Sequence, residues 1–598
     1  MKLSDYVVEF LEARKVEDVF LLAGGGIMHL LDSLAQKPTI HKYYNLHEQA
    51  SGFAADGYAQ YSNKLGVVFA TTGPGATNVV TSLASAHIDS TPLLVISGQV
   101  KRESLTTVPG VRQTGAQEVG IIPIVESVTK YAVTVMDPKD IRYIMERAVY
   151  TALNGRPGAV WVDIPLDVQA ADIDQAELRG YVPAVTDTEG EVRPKDIAEI
   201  IDLLQHSERP CILAGTGVIL AGAREQFVRL VNTLRIPVVT SRRARRLFSK
   251  GNDRYYYGSA GGVAPRYANY VLQNSDLLIV IGSGLRYYLT AYNEAGFAPV
   301  AKKVVVNIQA AEIEKLQMPV EKAVVADAAL FMEKLAEDLP LDFGQSSWST
   351  WLSYCDRVRD KYPPLNDVIP HDDGLTDGYM VAKYINRYAK AEDVFVASPS
   401  AFAYGYNVYD LHDQQDFVCP VGLGSMGTGL PCAIGACIAS GKKRTILGEG
   451  DGSLQHNIQE LALLREYNLP IKIFIDNNEG YRQIYTMQNT HFQGRFAGCT
   501  KESGLGLPNL EKIAEAYNLK YYCIATADQT EEIVKEALSD DAPAIINMIS
   551  SPAVEFVPII KSRMGKDGKM CSSKLEDLYP FLAEQEQQDN MRISGGVK

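Results

Sequence analysis

Gly450-Asp451-Gly452-Ser453 follows the apolar run TILGE, and Asn478-Glu479-Gly480-Tyr481 follows the apolar run IKIFIDN. LQHNIQELALLREY, between them, reads as a helix. Both clusters therefore sit at strand C-terminal ends, where open parallel α/β sheets bind ligands. The glycines let backbone N–H groups approach a phosphate, and a helix start turns its positive end toward it. Asp451 and Asn478 close adjacent parallel strands, so their side-chain oxygens converge. With the Gly480 carbonyl and two diphosphate oxygens they nearly complete an octahedral Mg²⁺ shell, with water as the last ligand. GDG alone fits a tight turn equally well. The full spacing, GDGS, helix, strand, then NNxGY, is what points to a diphosphate on Gly450, Gly452, Ser453 and Tyr481 and a metal on Asp451, Asn478 and Gly480.

Three further clusters could do chemistry. Glu48, in NLHEQA, ends an apolar strand before the small-residue run SGFAADGYAQY; on its own it is an ordinary helix-start acid. VVFATTGPGATN ends in a turn holding Gly73, Pro74 and Asn78. VGLGSMGTGLP, with Gly424 and Met426, reads by itself as a glycine-rich helix entry with a core methionine, and Ser400 follows the strand DVFVAS.

Positioning these groups takes several sheets. Runs such as LLVIS, AVWVDIP, CILAG and LLIVIGSG are nearly continuous in Val, Ile and Leu and end in glycine turns. That pattern marks strands buried on both faces of parallel sheets, joined by helices. The 598 residues suffice for about three to four domains. Candidate linkers at Tyr181–Arg193 and Leu341–His371 divide the chain into blocks 1–182, 192–340 and 372–550, followed by a polar tail, 551–598. We expect an α/β protein of three doubly wound parallel-sheet domains, the first and third related by a distant duplication, with a disordered end. Net charge of −14 excludes a general basic surface for nucleic acid or anionic lipid. Arg242-Arg243-Ala244-Arg245-Arg246 is a local exception. The eight cysteines form no CxxC pair, so neither a zinc site nor a disulfide framework is indicated. The start MKLSDYVVEFLEARK lacks a signal peptide's apolar run, and no stretch reaches the roughly 20 apolar residues of a membrane span. The expectation is a cytoplasmic protein.

The GDGS to NNxGY combination resembles the cofactor signature of the thiamine diphosphate-dependent acetolactate synthase family, and the resemblance extends over about residues 1–585. The HEQ run and its small-residue helix, TTGPGATN, and Gly155-Arg156-Pro157-Gly158 before VWVDIPLDVQ are similar to that family. The resemblance implies thiamine diphosphate and Mg²⁺. It implies that Glu48 hydrogen-bonds N1′ of the aminopyrimidine and so favours the imino tautomer that removes the thiazolium C2 proton. Gly73, Pro74 and Asn78 would underlie the pyrimidine, the Gly424 carbonyl would accept from the 4′-amino group, Met426 would wedge between the rings, and Ser400 would add a hydroxyl to the diphosphate. Gln117 and Lys130 would bond the developing alkoxide or a substrate carboxylate. MKLSDYVVEFL, SGQVKR and DGKMCSSKLEDLYPFL resemble a branch associated with surface polysaccharides and branched deoxysugars.

Departures concern the acceptor. Ala116 stands where the family has Phe, Met487 where it has a selecting Trp, and YYLT follows Arg286 where a second arginine is expected. Lost aromatic walls enlarge the acceptor pocket. FAD, held in the family by the arginine of GRPG and middle-domain loops, is left open: Arg156, Gly215, Gly217 and Arg286 are present, but Thr240–Arg246 replaces the TTLMGLG loop. The arginines of that run read either as a solvated, salt-bridged surface or as phosphate contacts. The expected activity is decarboxylation of a 2-oxoacid, with pyruvate as donor, and transfer of the two-carbon unit to a bulkier carbonyl acceptor such as a nucleotide keto-sugar. Alternatives are acetolactate synthase proper, a 2-oxoacid decarboxylase, or a non-decarboxylating C–C lyase or hydrolase. A non-catalytic binding protein would have lost Glu48, Asp451 or Asn478, and all three are present. The resemblance implies a homodimer or homotetramer with active sites between subunits.

Overall fold

The computed structural model describes residues 1–183, 192–248, 254–340, 343, 348–400, 404–405, 411, 415–551, 554–564 and 570–592. Three six-stranded sheets follow one another along the chain, and every strand pair within them is parallel. The first contains β1 (Asp18–Leu21), β2 (His41–Tyr44), β3 (Gly66–Ala70), β4 (Leu93–Gln99), β5 (Tyr131–Thr134) and β6 (Ala159–Pro165), in the order β2-β1-β3-β4-β6-β5. The second contains β7 (Pro210–Ala214), β8 (Val238–Thr240), β9 (Tyr256–Ser259), β10 (Leu277–Ile281), β11 (Lys302–Asn307) and β12 (Lys322–Val325), ordered β12-β11-β10-β7-β8-β9. The third contains β13 (Val394–Ala397), β14 (Asp416–Val418), β15 (Thr445–Gly450), β16 (Ile471–Asn477), β17 (Lys520–Ile524) and β18 (Ala544–Ile549), ordered β14-β13-β15-β16-β18-β17. The expected α/β class is therefore what the chain forms. β3, β4, β6, β7 and β10 are buried at every residue, because helices cover both sheet faces.

The first and third sheets share one strand order, as the descendants of a duplication would. The middle sheet has the dinucleotide-fold order, with its switch point between β7 and β10. In the third sheet Gly450 pairs with Asp476, so the turns after β15 and β16 leave the sheet side by side. This register brings Asp451 beside the Asn478–Gly480 turn.

The first and third blocks share a core. Helix Glu48–Ser62 lies against helix Gly429–Ala439 with the backbones nearly touching. A Cβ on Gly435 would fall 1.8 Å from the Ala54 carbonyl oxygen, and one on Gly57 would fall 2.3 Å from that of Cys432. The small-residue composition of both helices is thus a packing requirement.

Several expectations are corrected. The candidate linker 341–371 contains a helix, Ser349–Lys361, whose Trp351, Tyr354, Cys355 and Val358 are buried against the middle sheet. Their spacing is helical, but polar neighbours dilute it. The tail is ordered as far as it is described. Helix Glu584–Met591 docks on the middle block through hydrogen bonds, Tyr270 donating to Gln587 at 2.7 Å and Tyr354 to the Asn590 carbonyl at 2.6 Å. LQHNIQELALLREY is not one helix: it breaks at Asn457, with φ −140°. Residues 184–191 of the first candidate linker lie outside the described residues. Among the described residues, no helix is long and apolar enough to cross a membrane.

Candidate active site

Asp451 opens a short helix at the end of β15. Its Oδ1 accepts the Gly452 N–H at 2.7 Å and its Oδ2 the Gly480 N–H at 3.1 Å, so one carboxylate joins both turns. Burial, reinforced by Asp476, pushes its carboxyl up to about 7. A nearby cation would reverse that balance. Gly452 lies under the Tyr481 ring, where a Cβ would come within 2.4 Å of ring carbon, and Gly480 faces the Cys499 carbonyl at 2.0 Å. Neither position admits a side chain. Asn478 donates to the Asp476 carbonyl at 3.4 Å. Ser453 Oγ accepts the Gly427 N–H at 3.0 Å, tying this turn to the Gly422–Gly427 loop. Beneath both, buried Glu449 accepts from Ser398 at 2.6 Å and from the Gly450 N–H at 3.0 Å, and burial raises its pKa.

This cradle fits a diphosphate and a hard divalent cation. Ser400 Oγ is buried with no hydrogen-bond partner among the described residues, and Ser400 borders Gly450. Gly424 has a left-handed φ of +68° and open space where a Cβ would be. Met426, two residues on, is 41% exposed. One carboxylate, one amide and backbone carbonyls suit Mg²⁺. Among the described residues no three His, Cys, Asp or Glu side chains gather as a metal site, so an ion bound here would rely on this mixed oxygen set.

The second wall is the Glu48 corner. His47 caps helix Glu48–Ser62 by accepting the Gln49 N–H at 3.1 Å on Nδ1. Glu48, 6% exposed, accepts from Asn78 Nδ2 at 3.0 Å, which fixes its carboxylate against the Gly73-Pro74 turn. Gly73 has φ +63°, and the Gln117 carbonyl occupies the space a side chain would need there. Gln117 itself has φ +65°. Its loop is drawn together by Glu118, whose carboxylate accepts from the Thr106 N–H, from the Thr106 hydroxyl at 2.7 Å, the Thr114 N–H at 2.7 Å and the Gly115 N–H at 3.0 Å. Burial would raise that carboxyl, but these four donors outweigh it and hold it at about 2. Ala116 is exposed on the same loop, and Met487 is exposed on helix Arg482–Phe492.

The corner rests on the third block of its own chain. Glu460, pushed up to about 7 by burial, accepts from Asn45 Nδ2 at 2.9 Å and from the Leu46 N–H at 3.0 Å. Asn457, at the helix break, donates to Gln49 at 3.1 Å and to the Gly427 carbonyl at 2.8 Å. No hydrogen bond among the described residues joins Glu48 to the metal turn or to Gly424. Lys130 is not brought to this corner: its ammonium donates to the Thr151 and Asn154 carbonyls at the end of helix Ile141–Leu153, and burial, with Arg156 adding to it, lowers it to about 8.

A cavity of about 380 Å³ lies where the three blocks meet. Arg156, Gly217 and Arg286 line it; Gly215 stands behind, packed on the Gly282 carbonyl. Arg156 pairs with Glu312 at 2.5 Å. Arg286 and Arg243 both face buried Asp89, at 3.2 and 3.5 Å. Asp89 Oδ2 also accepts the Gly422 N–H at 3.1 Å, so it clasps the loop leading to Gly424. The arginine run is not a solvated surface. Arg246 bridges the Gln60 and Tyr61 carbonyls to Asp416, and Arg245 is buried with its guanidinium 5.3 Å from the Phe417 ring. Asp89, Asn457 and Glu460 were not singled out from sequence. Each acts between blocks, where local patterning carries no signal.

Residues 1–121, 197–335 and 400–548 match, in turn, the thiamine pyrophosphate enzyme N-terminal TPP binding domain, central domain and C-terminal TPP binding domain. The chain is 32% identical over 581 residues to a probable acetolactate synthase large subunit of Methanococcus aeolicus, with 93% of each chain covered. It is 31% identical over 570 residues to the acetolactate synthase large subunit of Cyanidium caldarium, covering 93% of this chain and 94% of that protein. The chloroplastic acetolactate synthase of Arabidopsis thaliana is 31% identical over 591 residues, 94% of this chain and 83% of that protein.

Proposed function

The chain belongs to the thiamine pyrophosphate-dependent carboligases of the acetolactate synthase type, and from that premise we propose that it decarboxylates pyruvate and transfers the two-carbon unit to a carbonyl acceptor of keto-sugar size. The observation that carries the acceptor reading is the pair Ala116 and Met487. Both are exposed, and neither presents an aromatic wall against a large acceptor.

Bound thiamine diphosphate supplies the nucleophilic carbon for both carbonyls. Asp451, Asn478 and the Gly480 carbonyl would hold Mg²⁺, and the N–H groups of the Gly450–Ser453 turn, Tyr481 and the Ser400 hydroxyl would receive the diphosphate. The Glu48 carboxyl holds a proton at the pyrimidine nitrogen it meets, and Asn78 keeps it aimed. Burial of Glu48 excludes water from that exchange. The Gly424 carbonyl would accept a hydrogen bond from the amino N–H, Met426 would support the rings, and Gly73 and Pro74 would bring Gln117 close enough to bond a developing alkoxide. Lys130 is left out of this scheme because its ammonium is engaged elsewhere. Arg156, Gly217 and Arg286 on the cavity wall support FAD as a second cofactor toward its middle-block end. We also propose that a second copy of the chain covers the exposed Leu423 and Met426 with its own Glu48 corner, as a homodimer or a tetramer built of such dimers.

The test uses the holoprotein with thiamine diphosphate, Mg²⁺ and ¹³C-labelled pyruvate, following CO₂ and products by NMR. The expected result is CO₂ release and ligation to sugar-sized aldehydes or ketones with kcat/KM at least about tenfold above that for a second pyruvate. Chelation should abolish both. Acetolactate as the favoured product would show acetolactate synthase proper, and CO₂ release with aldehyde alone would show a simple decarboxylase.

A further inference from the structure

The cavity between the blocks is rich in guanidinium groups, and one of them meets no counter-charge among the described residues. Of the guanidinium groups on its wall, Arg156 pairs with Glu312, Arg243 and Arg286 share Asp89, and Arg245 is buried against the Phe417 ring. Asp327, also on the wall, is occupied capping helix Ala328–Asp338. Arg242 lines the same cavity, half-buried, and has no hydrogen-bond or ion-pair partner among the described residues. It stands at the third-block side: its charge bears on the Tyr404 hydroxyl and the Cys419 thiol, both on the cavity wall. Tyr404 is itself held by stacking on Phe556, with ring centroids 4.3 Å apart. Ser400, Gly424 and Gln483 line this side too, so the space around Arg242 is continuous with the loop proposed to hold the cofactor.

The rim near Tyr404 is aromatic as well. Tyr288 lines the cavity and is 66% exposed, and its carbonyl accepts the Gly262 N–H at 2.9 Å, which anchors its backbone. A half-buried guanidinium without a counter-charge favours an anionic guest. Its planar fork suits a phosphate or carboxylate bound through two parallel N–H groups, and a tyrosine face suits the ring attached to it.

We propose that Arg242 anchors an anionic group, a phosphate or carboxylate, carried by the carbonyl acceptor, and that with Tyr288 it sets acceptor specificity. This rests on the carboligase reading above. Donor and acceptor then enter different ground: the two-carbon donor needs only the cofactor loop, whereas the acceptor reaches back into the cavity with its charged end.

The experiment uses the holoenzyme with pyruvate as donor and two matched acceptors, erythrose and erythrose 4-phosphate. In the native protein kcat/KM for the phosphorylated acceptor should exceed that for the free sugar by at least about tenfold. In Arg242→Gln that ratio should fall to within about twofold of one, mainly through KM, and Arg242→Lys should keep an intermediate ratio because it retains charge but not the fork. Each ratio is internal to one variant, so partial loss of folded protein does not disturb it. A ratio near one in the native protein, or an unchanged ratio in Arg242→Gln, overturns the proposal. Bound nucleotide or flavin is assayed in the same preparations; its loss from Arg242→Gln with the ratio preserved assigns the anion to a resident cofactor and overturns the acceptor claim. CO₂ release from pyruvate without acceptor separates the two readings. If it is absent, the carboligase reading fails and this one with it; if it is present without discrimination, only the anchor fails.

Discussion

Glu118 gathers four donors on one carboxylate and thereby shapes the loop that sets Gln117 against Gly73. Its carboxyl lies at about 2 in the fold against an ordinary value of 4.5. The folded value is depressed, so its contribution is complete above about 4.5 and is lost as pH falls toward 2. Pepsin nicking of loop 104–118 should therefore rise across that window in the native protein. Glu118→Gln should be nicked readily and without that pH dependence, and identical profiles would contradict the role. At this scale the sequence was informative where several residue types recur at fixed spacing, as with Asp451, Asn478 and Glu48. It was silent on Asp89 and Glu460, single acids in ordinary helical or strand-end surroundings whose partners lie hundreds of residues away.

Helices Glu48–Ser62 and Gly429–Ala439 meet with no room for a methyl group at Gly435. Gly435→Ala should force the pair apart and cost about 1–3 kcal/mol or more. Thermal unfolding should begin at least a few degrees lower. Because the chain has several cores, the onset of the first transition is the quantity to compare. An unchanged onset would show that the contact yields freely. Parallel strands were legible as elements because their apolar runs are unbroken. Helix Ser349–Lys361 was not, because Trp351, Tyr354, Cys355 and Val358 are set among charged neighbours in what reads as a linker. The break at Asn457 was hidden as well. Its cause is side-chain bonding to Gln49 and Gly427, outside the helix itself.

Across the whole molecule, Arg243, Arg246 and Asp89 lock three blocks around the cavity, yet Met426 and Leu423 stay exposed. If a second copy completes each site, Glu48→Gln and Asp451→Asn proteins, each inactive, should complement on mixing after dissociation. A mixed dimer then holds one site with both native residues, and random pairing restores about a quarter of native activity. Sites built within one chain would restore none. Fold class and family were legible in the sequence because strand runs and cofactor turns are local patterns. The cavity between the blocks was not, since its walls come from all three of them.

The central claim is that this chain activates thiamine diphosphate through Glu48. It is tested most directly by the rate at which the bound cofactor exchanges its C2 proton for deuterium, measured by acid quench and NMR in the native protein and in Glu48→Gln. We expect exchange slowed by about 100-fold or more in the variant, with cofactor affinity changed only a few-fold. Equal exchange rates in the two proteins, with cofactor bound to both, would contradict it.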